Sequence, residues 1–521
     1  MQKTLKKNFY RLSILLFSLL LCNPLFAKAK TKNLILIIGD GMGPQQISLL
    51  YSFAEFTKTG VLSPDQFAFG KIADNGTVAY SATNPELYAV TDSACSATHL
   101  ATGYKSLPGA IGVDSQGYSR PTILEKAKKA GKATGLVSDT RITHATPASF
   151  AAHVGSRDEE TEIAEQMLKT EPDLMLSAGV GDFLSEDKLK EYTSQNIDYK
   201  ARRTDGKDLL KQAKKQNYEL AFNIQELKAT KGKKVLGLFA DKGMPDGTWY
   251  KENKNKKDRT MPTLKEMAML AIEKLEGEEN GYFLMIEAGQ IDWAGHRNDA
   301  GTMLHQMIEA NEMLNAVYDH VSKNEDTLMV VTADHETGAF GLAYNMSRPH
   351  QVVKGLKGPF WKSGFHAKQD YLRYDALDDM YQQKMSLYDL LEKYKKEKTS
   401  KKDKKLLRKL IAENTAYNIT KDQAKYILDN KDHPYGQGKK KYKKFPKLQG
   451  PSAFYSSSTN TRIAMLSQII GPKQGVTWGT GGHTATPVGV FSFSKNDSHK
   501  DFGGFLHHSE LGMRLQKVLG L

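Results

Sequence analysis

Continuous apolar runs, rather than alternating ones, recur along this chain: NLILII at 33–38, ATGLV at 133–137, DLML at 173–176, VLGLF at 235–239, GYFLMI at 281–286, TLMVV at 327–331 and PVGVFSF at 487–493. A strand that is apolar at nearly every position is covered on both faces. Between these runs lie helical patterns, PTILEKAKKAG at 121–131, MPTLKEMAMLAIEKLEG at 261–277 and the long stretch 302–321. Doubly buried strands alternating with helices predict an α/β fold, a largely parallel central sheet with helices on both faces. No internal repeat interrupts the pattern.

Three of the predicted strands run into an acid: Asp40 after the first, Glu287 after FLMI and Asp334 after LMVVTA. Ligands of open parallel sheets collect at the carboxyl ends of the strands. Three carboxylates on one rim repel each other unless cations hold them, so the pattern predicts a metal site. A second feature is TDSACSAT at 91–98, where Ser93 stands before a run of small, helix-compatible residues. Alone it reads as a helix cap; beside a metal site it becomes a candidate nucleophile near a helix N-terminus suited to anions.

Composition sharpens this picture. The 521 residues, 40% hydrophobic, have room for a large core. Residues 1–27 are read as a secretory signal: Lys3, Lys6, Lys7 and Arg11 precede an apolar stretch at 12–21, with small residues at Ala27 and Ala29 for cleavage. A lipid anchor at Cys22 fits poorly, because Leu21 stands where a small residue is required. The expected product is exported, periplasmic or secreted. Only Cys95 then remains, so no intrachain disulfide can form. Cys95 itself reads as a small buried residue, since no basic partner is adjacent to it.

The net charge of +14 is unevenly spread. Four of the positive charges belong to the signal, and residues 393–447 hold nineteen Lys or Arg against six Asp or Glu. The remainder is therefore slightly acidic, about −3, which argues against specific nucleic-acid recognition as the protein's business. The basic stretch sits in a Lys-rich insertion, residues 345–456, between a first catalytic part at 28–344 and a last part at 457–521. Its lysines read first as a solvated face; Tyr442 and Phe445 among the lysines of 439–447 also suit contact with polyanions or an anionic surface.

The candidate ligands follow from spacing. Asp292 and His296 stand four apart in IDWAGH and share one side of a helical turn. His335 follows Asp334 in ADHETG, and His483 lies among glycines in WGTGGHT. Acids and imidazoles together suit Zn²⁺, and these residues with Asp40 and the Ser93 oxygen are enough for two zinc sites. Asp40, Thr146 and Glu287 offer a harder, all-oxygen set that suits Mg²⁺.

Six strings, IGDGMG, VTDSACSAT, THATPASFAAHVGSR, FLMIEAGQIDWAGH, VTADHETG and TGGHT, are similar in order and spacing to the metal-binding motifs of the alkaline phosphatases. The resemblance runs over about residues 33–340 and resumes near 479. It implies hydrolysis of small phosphate monoesters through a phosphoseryl intermediate on Ser93. It further implies one zinc on Asp292, His296 and His483, a second on Asp40, Asp334 and His335, and magnesium on Asp40, Thr146 and Glu287. Arg157 falls where the family clamps phosphate, and a planar guanidinium meets two phosphate oxygens at once.

His144 and Trp293 stand where the best-studied bacterial members carry Asp and Lys, as they do in other branches of the family. Both are candidate substrate-side residues, and His144 is open as a ligand of the third metal or as its support. The insertion occupies the place of the family's crown domain, so a homodimer or a monomer is expected. Two rivals stand beside this reading. One is a phosphodiesterase or sulfatase on the same metal core, opposed by the DSA setting of Ser93 and the lack of a CxPxR string. The other is an exported metal- or phosphate-binding protein, opposed by an intact nucleophile. A P-loop reading of GDGMG fails because no Lys-Ser/Thr follows.

Overall fold

The computed structural model describes residues 30–521 apart from 193–198, 345–351, 362–363, 367, 370, 373–374, 401 and 430–460. The signal read at 1–27 and the aromatic-bearing lysines of 439–447 therefore lie outside the described residues. No described helix is long and apolar enough to cross a membrane.

Ten strands form the central sheet. In chain order they are β1 (Asn33–Gly39), β2 (Thr77–Ala82), β3 (Ala133–Arg141), β4 (Leu174–Ala178), β5 (Glu219–Ala221), β6 (Val235–Leu238), β7 (Tyr282–Ala288), β8 (Thr327–Thr332), β9 (Val488–Ser494) and β10 (Phe505–His507). Their order across the sheet is β10-β2-β9-β8-β1-β7-β3-β4-β6-β5. Every pairing is parallel except those of β9, which runs against both β2 and β8. The run at 487–493 is thus a strand, but a reversed one. An apolar run records burial and not direction, and β9 begins just after His483 at the rim, so it can only descend.

The pattern of continuous apolar runs missed β2, β5 and β10. β2 lies next to the sheet edge, and its side chains alternate between buried Ala79 and Ser81 and exposed Val78 and Tyr80. Alternation of that kind marks a strand with one wet face.

The register aligns the three acids. Ile38 of β1 pairs with Glu287 of β7 on one side and Thr332 of β8 on the other. Asp40 and Asp334 each follow two residues later, so all three carboxylates reach the same rim.

The helices that matter to that rim are α1 (Pro44–Phe56), α2 (Ser93–Thr102), the short α3 (Ala145–Ala148), α4 (Leu264–Leu275), α5 (Gln290–His296) and α6 (Ala300–Val321). Beyond them come α7 (Leu387–Glu397), α8 (Lys404–Asn414), α9 (Lys421–Asp429), α10 (Thr461–Gln474) and α11 (His508–Val518). The MPTLKE pattern becomes α4, started by a capping box between Thr263 and Glu266. Two apolar clusters cover the sheet, one on each face, joining strands to α1, α4 and α6 on one side and to α2 and α11 on the other. A third cluster is separate and joins α7 through α10 by Leu390, Tyr394, Leu407, Ile411, Ile427 and Leu466. Lys395, Lys396 and Lys398 stay exposed outside it.

Candidate active site

Ser93 opens α2, but it is not the cap. Asp92 holds that position, accepting the Cys95 amide on Oδ1 at 3.1 Å. Relieved of capping, the Ser93 hydroxyl lies 3.1 Å from His335 Nε2. α2 is buried along its whole length, and Ser96 one turn on donates to the Asp334 carbonyl at 2.6 Å. The helix that carries Ser93 and the loop after β8 are thereby fastened together.

Three groups of candidate ligand atoms form, the atoms of each within 4.8 Å of one another: Asp292, His296 and His483; Asp40, Asp334 and His335; Asp40, His144 and Glu287. The first two groups are the sets drawn from the six motifs. In the third, His144 joins Asp40 and Glu287, with Nδ1 3.6 Å from Glu287 Oε1. Thr146, two residues on in α3, is fully buried with no hydrogen bond to its hydroxyl.

The supporting bonds leave one face of each ligand free. Asp334 Oδ1 accepts from the Gly41 and His335 amides at 3.1 and 2.9 Å, while Oδ2 has no hydrogen-bond partner. Glu287 Oε2 accepts from Ser138 and Thr140, and Oε1 has none. Both oxygens of Asp40 are buried and unbonded. Buried carboxylate oxygens are normally satisfied, so this set fits metal cations at the rim.

The imidazoles are held the same way. His296 Nδ1 faces the Gly481 carbonyl at 2.7 Å and His483 Nδ1 the Thr91 carbonyl at 2.9 Å, which turns both Nε2 atoms inward, 3.1 Å apart. Second-partner bonds of this kind fix the tautomer of a ligating histidine. Thr337 adds another, donating to Asp292 Oδ1 and lying 3.2 Å from His335 Nδ1.

Some of these carboxylates repel one another, as groups that share cations do. Burial, and then repulsion from Asp334, Asp292 and Glu287, pushes the Asp40 carboxyl well above the usual range. Burial and the Asp292 charge raise Asp334 as well. Burial opposes a charged His296 ring, but Asp292 overrides it and holds that ring up at about 9.

Arg157 reaches the rim from the HVGSR loop. Its Nη1 lies 3.1 Å from Asp92 Oδ2 and its Nη2 3.2 Å from His144 Nε2. Glu160, three residues on, pairs with Arg141. Trp293 stands edge-on to His144, ring centroids 6.1 Å apart.

Sequence reasoning missed Thr337, Ser138 and Thr140, because a single hydroxyl carries no spacing signal. Thr337 could have been found within ADHETG. Gly41 of GDGMG has a structural reason: at φ 73° a side chain there would meet the Asp292 backbone at 2.7 Å.

Against known proteins, the alkaline phosphatase family profile matches residues 31–521. Alkaline phosphatase 3 of Bacillus subtilis is 37% identical over 338 residues, an alignment that spans 62% of this chain and 66%, just under two thirds, of the relative. The cold-active alkaline phosphatase of a psychrophilic Shewanella superposes with a TM-score of 0.69 at 25% identity, covering 94% of this chain and 99% of that one. That of Thermus thermophilus gives 0.75 at 23% identity, covering 95% and 92%. With its ten-stranded sheet, its three ligand groups and a family match over nearly its whole length, this chain belongs to the alkaline phosphatase family.

Proposed function

We propose that the protein is an exported phosphate monoester hydrolase that works through a phosphoseryl intermediate on Ser93. The observation that carries this reading is the placement of Ser93 Oγ at 3.1 Å from His335 Nε2, where ligand groups converge. The Asp292, His296 and His483 group and the Asp40, Asp334 and His335 group suit one zinc ion each. The oxygens of Asp40, Glu287 and Thr146 suit magnesium, while the His144 nitrogen beside them favours a softer cation in the same place. Bound cations supply the charge that lowers the pKa of the Ser93 hydroxyl, offsets charge on the departing oxygen and activates the water.

Arg157, braced by Asp92, offers its fork to two phosphoryl oxygens. The Ser93 hydroxyl gives its proton to solvent water and Oγ attacks phosphorus in line with the ester oxygen, so the P–Oγ bond forms as the ester P–O bond breaks, and the departing oxygen takes one proton back from solvent and leaves as the alcohol. A water then attacks phosphorus from the side the alcohol vacated. The P–Oγ bond breaks, the serine hydroxyl is restored and inorganic phosphate is released. Two in-line displacements leave the configuration at phosphorus unchanged.

Turnover of para-nitrophenyl phosphate, the matching diester and the sulfate tests the reading, together with metal analysis before and after chelation. The monoester is the expected substrate, and Ser93→Ala is expected to lower its kcat by at least about 1000-fold, the scale of losing a nucleophile. A variant that kept most of the activity would remove the phosphoseryl route, and faster turnover of diester or sulfate would move the protein elsewhere in its superfamily.

A further inference from the structure

We infer that Arg297 forms a second anion subsite at the rim, one that recognises a negatively charged group on the leaving part of the substrate. The inference rests on the monoesterase reading above and extends it to a substrate class.

Arg297 directly follows the ligand His296 and sits at the end of α5. Four residues before it on the same helix is Trp293, and the Arg297 guanidinium lies 5.9 Å from that ring's centroid. On its other side is Tyr388 of α7, with the guanidinium 4.5 Å from the ring centroid. The cation is thus held between an aromatic ring of the site and one of the insertion, contacts that attract a guanidinium to ring faces.

Those contacts leave its N–H donors unused. Among the described residues the Arg297 side chain makes no hydrogen bond and no ion pair within 4.0 Å. Asp389, next to Tyr388, feels its charge but accepts from Ser386 Oγ at 2.7 Å. A guanidinium carries five donors in a plane and is suited to carboxylate or phosphate oxygens.

The neighbours of Arg297 place it on the substrate's path. Trp293 stands edge-on to His144, and His144 touches Arg157, the residue that faces the phosphoryl group. Arg157, His144, Trp293, Arg297 and Tyr388 therefore form one continuous row from the phosphoryl position outward to the insertion. A monoester whose leaving part bears a second phosphate or a carboxylate can meet both guanidinium groups at once. An uncharged leaving group meets only the first.

The test compares para-nitrophenyl phosphate with para-phosphonomethylphenyl phosphate, whose second anion cannot be hydrolysed. The native chain is expected to favour the bis-anion in KM, and Arg297→Gln is expected to lower the bis-anion to mono-anion ratio of kcat/KM about ten-fold, one charge-assisted contact's worth. Arg297→Lys is expected to recover part of the ratio. A ratio that Arg297→Gln leaves unchanged, with the enzyme active on both esters, overturns the subsite while the monoesterase reading stands. Inactivity of the native chain on both esters removes the parent reading and the subsite with it.

Discussion

Asp92 performs three tasks with two oxygens. Oδ1 accepts the amides of Cys95 and Gly109 at 3.1 and 3.0 Å, and Oδ2 braces Arg157 at 3.1 Å. Burial alone would raise its pKa; the Arg157 charge and the two amides outweigh burial and hold the carboxyl below its usual range. In the sequence Ser93 taken alone looked like a cap. The structure gives the cap to Asp92 and leaves the serine free. Asp92→Ala is expected to cost about 1 kcal/mol as a lost N-cap and to raise KM for an aryl phosphate several-fold through an unbraced Arg157. Asp92→Asn keeps an acceptor for the amides, so it should spare the urea midpoint and still raise KM. Cys95, two residues past Ser93, is buried. Burial, followed by the nearby Asp92 charge, pushes its thiol up to about 12. A chromogenic disulfide reagent at pH near 8 should therefore leave the native thiol unmodified and titrate it only after unfolding.

At the scale of elements, the long helix α6 shows how burial sets a pH response. Glu309 is 9% exposed, and burial holds its carboxyl up at about 7 even though Lys254 Nζ lies 3.1 Å away. Its ordinary value is 4.5, so between 4.5 and about 7 the folded chain binds this proton more tightly than the unfolded one. The Glu309 contribution to stability therefore falls as pH rises through that window and is level above it. Urea midpoints measured across the window should show less of this decline in Glu309→Gln than in the native chain. The helix itself was plain in the sequence, since apolar spacing over 302–321 predicts it within two residues of the observed Ala300–Val321. The edge elements were not, because β2 is half wet and β5 and β10 have three residues each.

Over the whole molecule, the rim concentrates carboxylates that the apolar core cannot tolerate ionised without compensation. Asp40, Glu287 and Asp334 are all fully buried. Cations bound there stabilise the folded chain by mass action, about 4 kcal/mol at a thousand-fold excess over the dissociation constant. Chelation is expected to lower the melting temperature by several degrees in scanning fluorimetry, with recovery on adding zinc and magnesium. An unchanged melting temperature, with metal analysis showing depletion, would mean that the cations contribute nothing to the fold.

The sequence by itself determined the buried strands, the acids that follow them and the six motifs that supply the candidate ligands. These are local properties: burial is written in consecutive side chains, and an acid at a strand's end needs only its own strand to reach the rim. What only the tertiary structure decided was the reversal of β9, the meeting of His144 with Asp40 and Glu287 and the contact of Arg297 with the Tyr388 ring. Each depends on register or on contact between distant residues, as when Ser93 meets His335 across 242 positions. Periodicity carries no record of such meetings, because the sheet's strand order brings them together and no single stretch of chain contains both partners.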